Sequence, residues 1–496
     1  MLKRFFLKDE VDIETNQTSD EEAINNEKRF FPSYEHICSQ FEECSDLTKR
    51  TYPSLNLHIL YFDHLIDQQK LEWEVLSKLN QNNIDSVKDM LSSSNYTRSD
   101  DSKVVVKSIL KGKVILFFQG ETYIVGAGGS EGRAVSHSET ETVINGAHDS
   151  FVESAYTNLS LIRKKVKSSH LKCIKISVGE ISKTEVYILY IEDIANPELL
   201  KHLMNRIEDI EINAVNDLNM LVQLIDEFPK SPFPQYYTSE RPDVAAAKLF
   251  DGKIVGLMDQ SPYIFSAPTN FFDFFQSNDD LSQRWMIGTA IRILRLIALF
   301  ITVSFTAYYV SVTTFHYEMI PEALLNNLIE SRSKVPFPPL IEALLMEFTI
   351  ELLREAGARL PTKIGQTIGI VGGIVIGQAS VEAGITSNIL IIAVAVSAIS
   401  SFVIPSYIMS ASLRIVRFAF IILAGLWGNI GLIFGVSILV IHLTGLTNLK
   451  TPYLFPVSPT YPSDLKDTII RAPFSWIKGR PHNTLTNNLR KNKMKN

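Results

Sequence analysis

The chain has 496 residues, 46% of them hydrophobic, with a formal net charge of −6. Three cysteines, Cys38, Cys44 and Cys173, are too few and too scattered for a disulfide framework or a zinc site. The charge is concentrated before about Asp280 and long apolar runs follow Leu294, which means a soluble region joined to a membrane region.

Residues 1–30 are acidic and poor in apolar side chains and are expected to form a disordered arm. They are charged without an apolar core, so no signal peptide is read there and the large N-terminal part is expected to stay cytoplasmic. A first lobe is expected over 31–135, with helical periodicity in Leu57–Ile66 and Leu71–Leu79. The stretch VVVKSILKGKVILFFQGETYIVGA then reads as helix, turn, strand, turn, strand, with Gly112 and Gly120 at the turns. A second lobe over 136–284 starts with a helix across Phe151–Lys167 and continues through strands Lys172–Ser177 and Glu185–Ile191. A helix near Pro197–Ile207 and strands at Lys253–Met258 and Tyr263–Phe265 complete it. The fold class is therefore an α/β cytoplasmic region of two small lobes followed by an all-α polytopic membrane domain.

The membrane domain, 285–446, opens at Arg292-Ile-Leu-Arg295, and its first element, 294–315, carries no charge after Arg295 over a spanning length. Further elements are expected at 364–383, 385–409 and 418–446, the last interrupted by Gly428, Asn429 and Gly431 and readable as one tilted helix or two arms. With the N-terminal domain inside, four simple spans leave Arg354, Arg359, Lys363, Arg414 and Arg417 outside, against the positive-inside tendency. If Pro338–Leu353 also enters the bilayer and the last stretch is two arms, those cations and the basic tail, 447–496, return inside; Glu342, Glu347 and Glu351 must then face protein or water. The tail either lies on anionic lipid headgroups or is merely soluble.

Glycine recurs every fourth residue at Gly365, Gly369, Gly373 and Gly377, building a helix face almost without side chains that permits close helix packing. The opposite face carries Thr367, Val371, Val375, Gln378 and Glu382. Two readings stand: a buried packing helix, or the wall of an oligomeric pore in which the valines gate by dewetting, Thr367 and Gln378 are polar rungs and Glu382 gathers cations.

The segment SPFPQYYTSERPD, Ser231 to Asp243, fixes extended backbone with prolines and sets Glu240, Arg241 and Asp243 on a constrained turn. It reads as an interdomain or coupling loop through Pro234, Glu240, Arg241, Pro242 and Asp243. The run Arg163-Lys164-Lys165 reads as a solvated basic face, with no aromatic or glycine-rich partner for nucleic acid. On LIEALLMEFTIELLREAGARLP, Glu351 and Glu355 are spaced to pair with an Arg three or four residues on. No catalytic set, metal site or cofactor motif emerges: His148-Asp149 lacks a nearby nucleophile, and Gly126–Gly132 lacks the ending of a phosphate loop.

Eight segments in one order, among them NGAHDSFVESAYTNLSLIRKKV, SPFPQYYTSERPD, RWMIGTAIRILR, VPFPPLIEALLMEFTIELLREAGARLP and IGQTIGIVGGIVIGQASVEAGI, resemble the A subunit of the GerA family of spore germinant receptors. Ala147-His148-Asp149 departs from the Pro-Arg or Pro-Lys of many members and is similar to the stage V sporulation paralogue. The resemblance implies the inner membrane of a bacterial endospore, a transporter-like B subunit and a lipoprotein C subunit as partners, and a homo-oligomeric, pentameric channel for monovalent cations. Rival functions are a non-conducting relay and a nutrient sensor using the cleft between the lobes.

Overall fold

The computed structural model describes residues 31–79, 84–129, 141, 146–486 and 488–491, with the side chains of Ser86 and of 362–371 left aside. The expected acidic arm, 1–30, lies outside the described residues. Two compact units result, one within 1–131 together with 167–169 and the other within the rest of the chain.

The first unit holds an antiparallel sheet of β1 (Leu47–Tyr52), β2 (Leu57–Phe62), β3 (Tyr96–Arg98), β4 (Val114–Phe118) and β5 (Glu121–Val125) in the order β1-β2-β4-β5-β3. Leu57–Phe62, expected as part of a helix, is thus a strand. Leu57, Ile59 and Tyr61 enter one core, and Leu60 and Phe62 enter the other. A strand covered on both faces reads as a continuous apolar run, which periodicity alone does not separate from helix.

The second unit begins with β6 (Leu171–Val178), β7 (Thr184–Ile191), β8 (Tyr237–Ser239), β9 (Ile254–Met258) and β10 (Ile264–Ala267), ordered β6-β7-β9-β10-β8 and again antiparallel. This is the strand order of the first sheet repeated. The correspondence reaches single residues: helices Ser102–Ile109 and Pro242–Phe250 precede β4 and β9, and each hands over through Gly-Lys. Gly112 and Gly252 have φ of +77° and +84°, and the amides of Lys113 and Lys253 each donate over 3.0 Å to the carbonyls of Ser108 and Lys248. That left-handed turn closes a helix end where a side chain would be strained. Arg163, expected on a solvated face, is instead buried and donates from Nη1 to the Leu171 carbonyl at 3.0 Å.

The C-terminal half is helical: α1 (Trp285–Phe315), α2 (Glu322–Arg332), α3 (Pro339–Arg359), α4 (Thr362–Glu382), α5 (Asn388–Phe402) and α6 (Tyr407–Gly445). Two of these, α1 and α6, are long and apolar enough to cross a membrane. The expected element 385–409 stops at Phe402, because Pro405 interrupts the chain and Ser406 caps the next helix by accepting from the Met409 amide. Inside α6, Gly428 takes φ 61° and ψ −138°. A Cβ on Gly431 would collide with the Leu423 carbonyl, eight residues earlier, and one on Gly435 would lie 3.2 Å from the Phe420 ring. Along a straight helix the first pair would stand about 12 Å apart and the second about 22 Å, so α6 doubles back as a hairpin of two arms.

Polarity is inverted in this half. On α3, Glu342 and Glu347 are 0% exposed while Phe348 and Leu352 are 57% and 56% exposed. A helix with acids inward and large apolar side chains outward is suited to an apolar surrounding.

Candidate functional site

On α4 the side chains at Gly365, Thr367, Gly369 and Val371 lie outside the described ones. Of the rest, Val375 is 56% exposed. Gln378 donates from Nε2 to Glu382 Oε1 at 2.9 Å, a bond along the exposed face. A Cβ on Gly373 or Gly377 would meet no atom within 4 Å, whereas one on Gly372 would lie 2.7 Å from Leu353 Cδ1 of α3. Within one chain the close packing of α4 therefore runs through Gly372, and the described part of the glycine face stands bare.

The loop Ser231–Asp243 lies where the second sheet meets the helices. Phe233, Phe271, Phe274 and Phe275 share one core with Val303, Ala307, Leu413 and Tyr453. Ser231 Oγ is 2.9 Å from His442 Nε2, and the Ser412 hydroxyl donates to the Pro232 carbonyl, so the loop touches both arms of α6. The Pro234 carbonyl accepts from Tyr453 Oη at 2.6 Å, and the Glu240 carbonyl accepts from the Phe151 amide at 2.7 Å. Pro242 opens its helix at the position where a missing N–H costs nothing, with Asp243 in the first turn.

Arg241 is the hub of this junction. It grips Asp243 with two bonds of 3.0 and 2.8 Å and reaches Asp279 Oδ1 at 3.0 Å. Although burial opposes it, the bonds from Arg241 and Asn278 hold the Asp243 carboxyl below its ordinary range. The neighbouring carboxylate, Asp280, takes Arg292 Nε at 3.2 Å and Arg295 Nη1 at 2.7 Å, both from the head of α1. Two consecutive aspartates thus tie the loop to the first apolar helix. A second knot lies near it: Asp273, buried, receives Lys248 at 2.8 Å and Lys253 at 2.6 Å, and these ammonium groups hold it well below the carboxylate range against the effect of burial.

Among the helices, Glu347 Oε1 accepts from Thr306 Oγ1 at 2.8 Å and its Oε2 lies 2.7 Å from Arg417 Nη2. Arg417 also donates to Ser397 at 3.0 Å. Glu351 pairs with Arg414 at 3.0 Å rather than with Arg354, because Arg354 donates to Ser401 and stacks over the Phe402 ring. Glu355 does meet Arg359, at 2.6 Å. Glu342 accepts from Ser387 N and from Thr386 Oγ1 at 3.1 Å, holding the start of α5.

The profile of the family described as Bacillus/Clostridium GerA spore germination protein matches residues 35–483. The chain belongs to the GerA family. It is 45% identical to spore germination protein GerQA of Bacillus cereus over 85% of this chain and 86% of that one. Spore germination protein A1 of Bacillus subtilis is 36% identical, covering 92% and 96% of the two chains. The crystal structure of the N-terminal domain of the A subunit of the Bacillus megaterium spore germinant receptor GerK3 covers 48% of this chain and 93% of that domain, with TM-score 0.36 and 23% identity.

In this GerA-family chain, sequence reading missed Asp273, Asp279 and Asp280, the carboxylates that organise the junction. The available signal was Asp279-Asp280 standing ahead of Arg292-Ile-Leu-Arg295 at a point where charge otherwise thins out. Over its described residues the basic tail is docked on the second unit. Arg480 Nε donates to the Phe250 carbonyl and Asn196 Nδ2 to the Leu485 carbonyl, each at 2.9 Å, docking the tail on the second sheet's helices.

Proposed function

We propose that this chain is the A subunit of a nutrient germinant receptor, seated in the spore inner membrane with its lobes on the core side. It assembles as a homo-oligomer, pentameric in the family's manner, around a pore for monovalent cations, and works with the transporter-like B subunit and the lipoprotein C subunit. The observation that carries this reading is the bare glycine face at Gly373 and Gly377 beside exposed Val375. A second copy packing there covers the glycines and turns the other face of α4 toward an axis. Val371 and Val375 then form a dewetting gate, Thr367 and Gln378 line it, and Glu382 rings its mouth with negative charge. The hairpin in α6 supports the orientation, since it returns the chain to the side from which it entered. The loop from Pro234 to Asp243 passes movement of the lobes to α1.

Purified oligomer in liposomes tests this: it should pass potassium. Oligomer that seals against potassium would overturn the channel and leave a relay that opens a separate pore.

A further inference from the structure

Beside the Lys248–Asp273–Lys253 knot is a cavity of about 280 Å³, walled by the second sheet's helix and strand ends and by the C-terminal segment between Ser463 and Lys491. A neighbouring hollow of about 350 Å³ shares part of that wall and reaches Arg292 at the head of α1.

The wall carries four aspartates, and each already has a basic side chain beside it. Asp251 pairs with Lys491, Asp464 with His482 at 2.8 Å, Asp467 with Arg292 at 3.4 Å, and Asp273 with two lysines. Positive charge is left over. One of the two ammonium groups on Asp273 is uncompensated, and Lys253 is only 3% exposed. Arg480 is held by the carbonyls of Phe250, Asn488 and Arg490 at 2.7 to 2.9 Å, which orient a guanidinium without neutralising it. Exposed Lys478 adds a further cation to the rim. Asn483, also in the wall, is 3% exposed, and neither its Nδ2 nor its Oδ1 has a hydrogen-bond partner. A buried amide with both ends unsatisfied is costly, and a polar ligand in the cavity would satisfy it.

We propose that this cavity binds a small soluble oxyanion, with Lys248, Lys253 and Arg480 supplying the charge and Asn483 a hydrogen bond. The inference is independent of the channel reading. Because the C-terminal segment forms one wall and Asp467 in it reaches Arg292, an occupied site holds that segment against the second sheet and the head of α1.

The test uses the full chain in phosphatidylcholine nanodiscs, titrated calorimetrically with inorganic phosphate and with citrate at constant ionic strength. Saturable binding of at least one is expected, weakened about tenfold or more in Arg480→Gln and in Asn483→Asp, as for loss of a charge-assisted bond or entry of a like charge. Lys478→Ala, at an exposed position, keeps the test valid should either of those variants misfold, and should weaken binding severalfold. No saturable binding of either probe, or affinity unchanged in every folded variant, overturns the site. Thermal stabilisation by phosphatidylglycerol nanodiscs without any effect of soluble phosphate assigns the charge to lipid headgroups and overturns it equally.

Discussion

Glu347 of α3 and Arg417 of α6 face each other at 2.7 Å with neither side chain exposed. Removing one member of such a pair strands a buried charge, which costs about 3–5 kcal/mol, whereas removing both is far milder. Glu347→Gln and Arg417→Met should each lower the unfolding temperature sharply in detergent, and the double variant should recover much of the loss. Strict additivity of the two single effects would show that the pair is not coupled.

Asp280 faces two guanidinium groups, and Asp280→Asn leaves Arg295 without this counter-charge and Arg292 with Asp467 alone, 3.4 Å away. A loss of about 3 kcal/mol is expected from this change. Arg241→Lys keeps a charge but loses the two-pronged grip on Asp243 and cannot reach Asp279 in the same geometry. Spores carrying Arg241→Lys should assemble the receptor in normal amount yet respond poorly to nutrient; a normal response with intact assembly would remove the loop from the transmission path.

Val375→Ala reduces bulk at the proposed constriction. Spores bearing it should lose potassium and germinate without nutrient, and Val371→Ala should act in the same direction. Dormant, ion-tight spores from both variants would count against the gate.

Burial pushes the Glu141 carboxyl up to about 7, partly countered by the Ser239 hydroxyl and Arg241, and pushes that of Asp226 up to about 7 against the pull of Arg206. Both groups hold protons more tightly in the folded chain than in the unfolded one. Stability from these two groups is therefore greatest below the ordinary carboxylate range and falls as pH rises from there to about 7. Glu141→Gln with Asp226→Asn should flatten that slope in unfolding experiments between pH 5 and 7; an unchanged slope would refute the assignment.

Doubling back at Gly428 puts the two ends of α6 together. Tyr407→Cys and Lys450→Cys should be modified by a membrane-impermeant thiol reagent from the same side of a sealed vesicle. Labelling from opposite sides would mean that α6 crosses as one continuous helix. Gly428→Ala, with a Cβ 3.0 to 3.1 Å from His316 and Phe315 atoms and an unfavourable φ, should reduce yield of folded protein.

Local signals carried much of this. The uncharged run 296–315, the Gly112 turn before β4 and the prolines of the Ser231–Asp243 loop announce their structures from sequence because each depends on neighbours a few residues away. Other features depend on distant partners. Glu351 was spaced for Arg354, but its partner Arg414 is 63 positions later, and only the packing of α3 on α6 decides between them. The strand Leu57–Phe62 was hidden by burial on both faces. The repeated strand order was legible in part, as GKVILFF and GKIVGLM, but its loops differ in length and blur the period.

Adjacent residues Asp279 and Asp280 hold opposite partners, so the peptide unit between them acts as a mechanical fuse. Ion pairs of this kind weaken once their atoms separate beyond about 4 Å. From the observed 2.7 to 3.2 Å, the slack is little more than an ångström before one grip must release. If the loop couples the second lobe to α1 as proposed, any displacement larger than that either drags α1 with it or breaks the link, which would make transmission through this point a matter of thresholds instead of gradual bending.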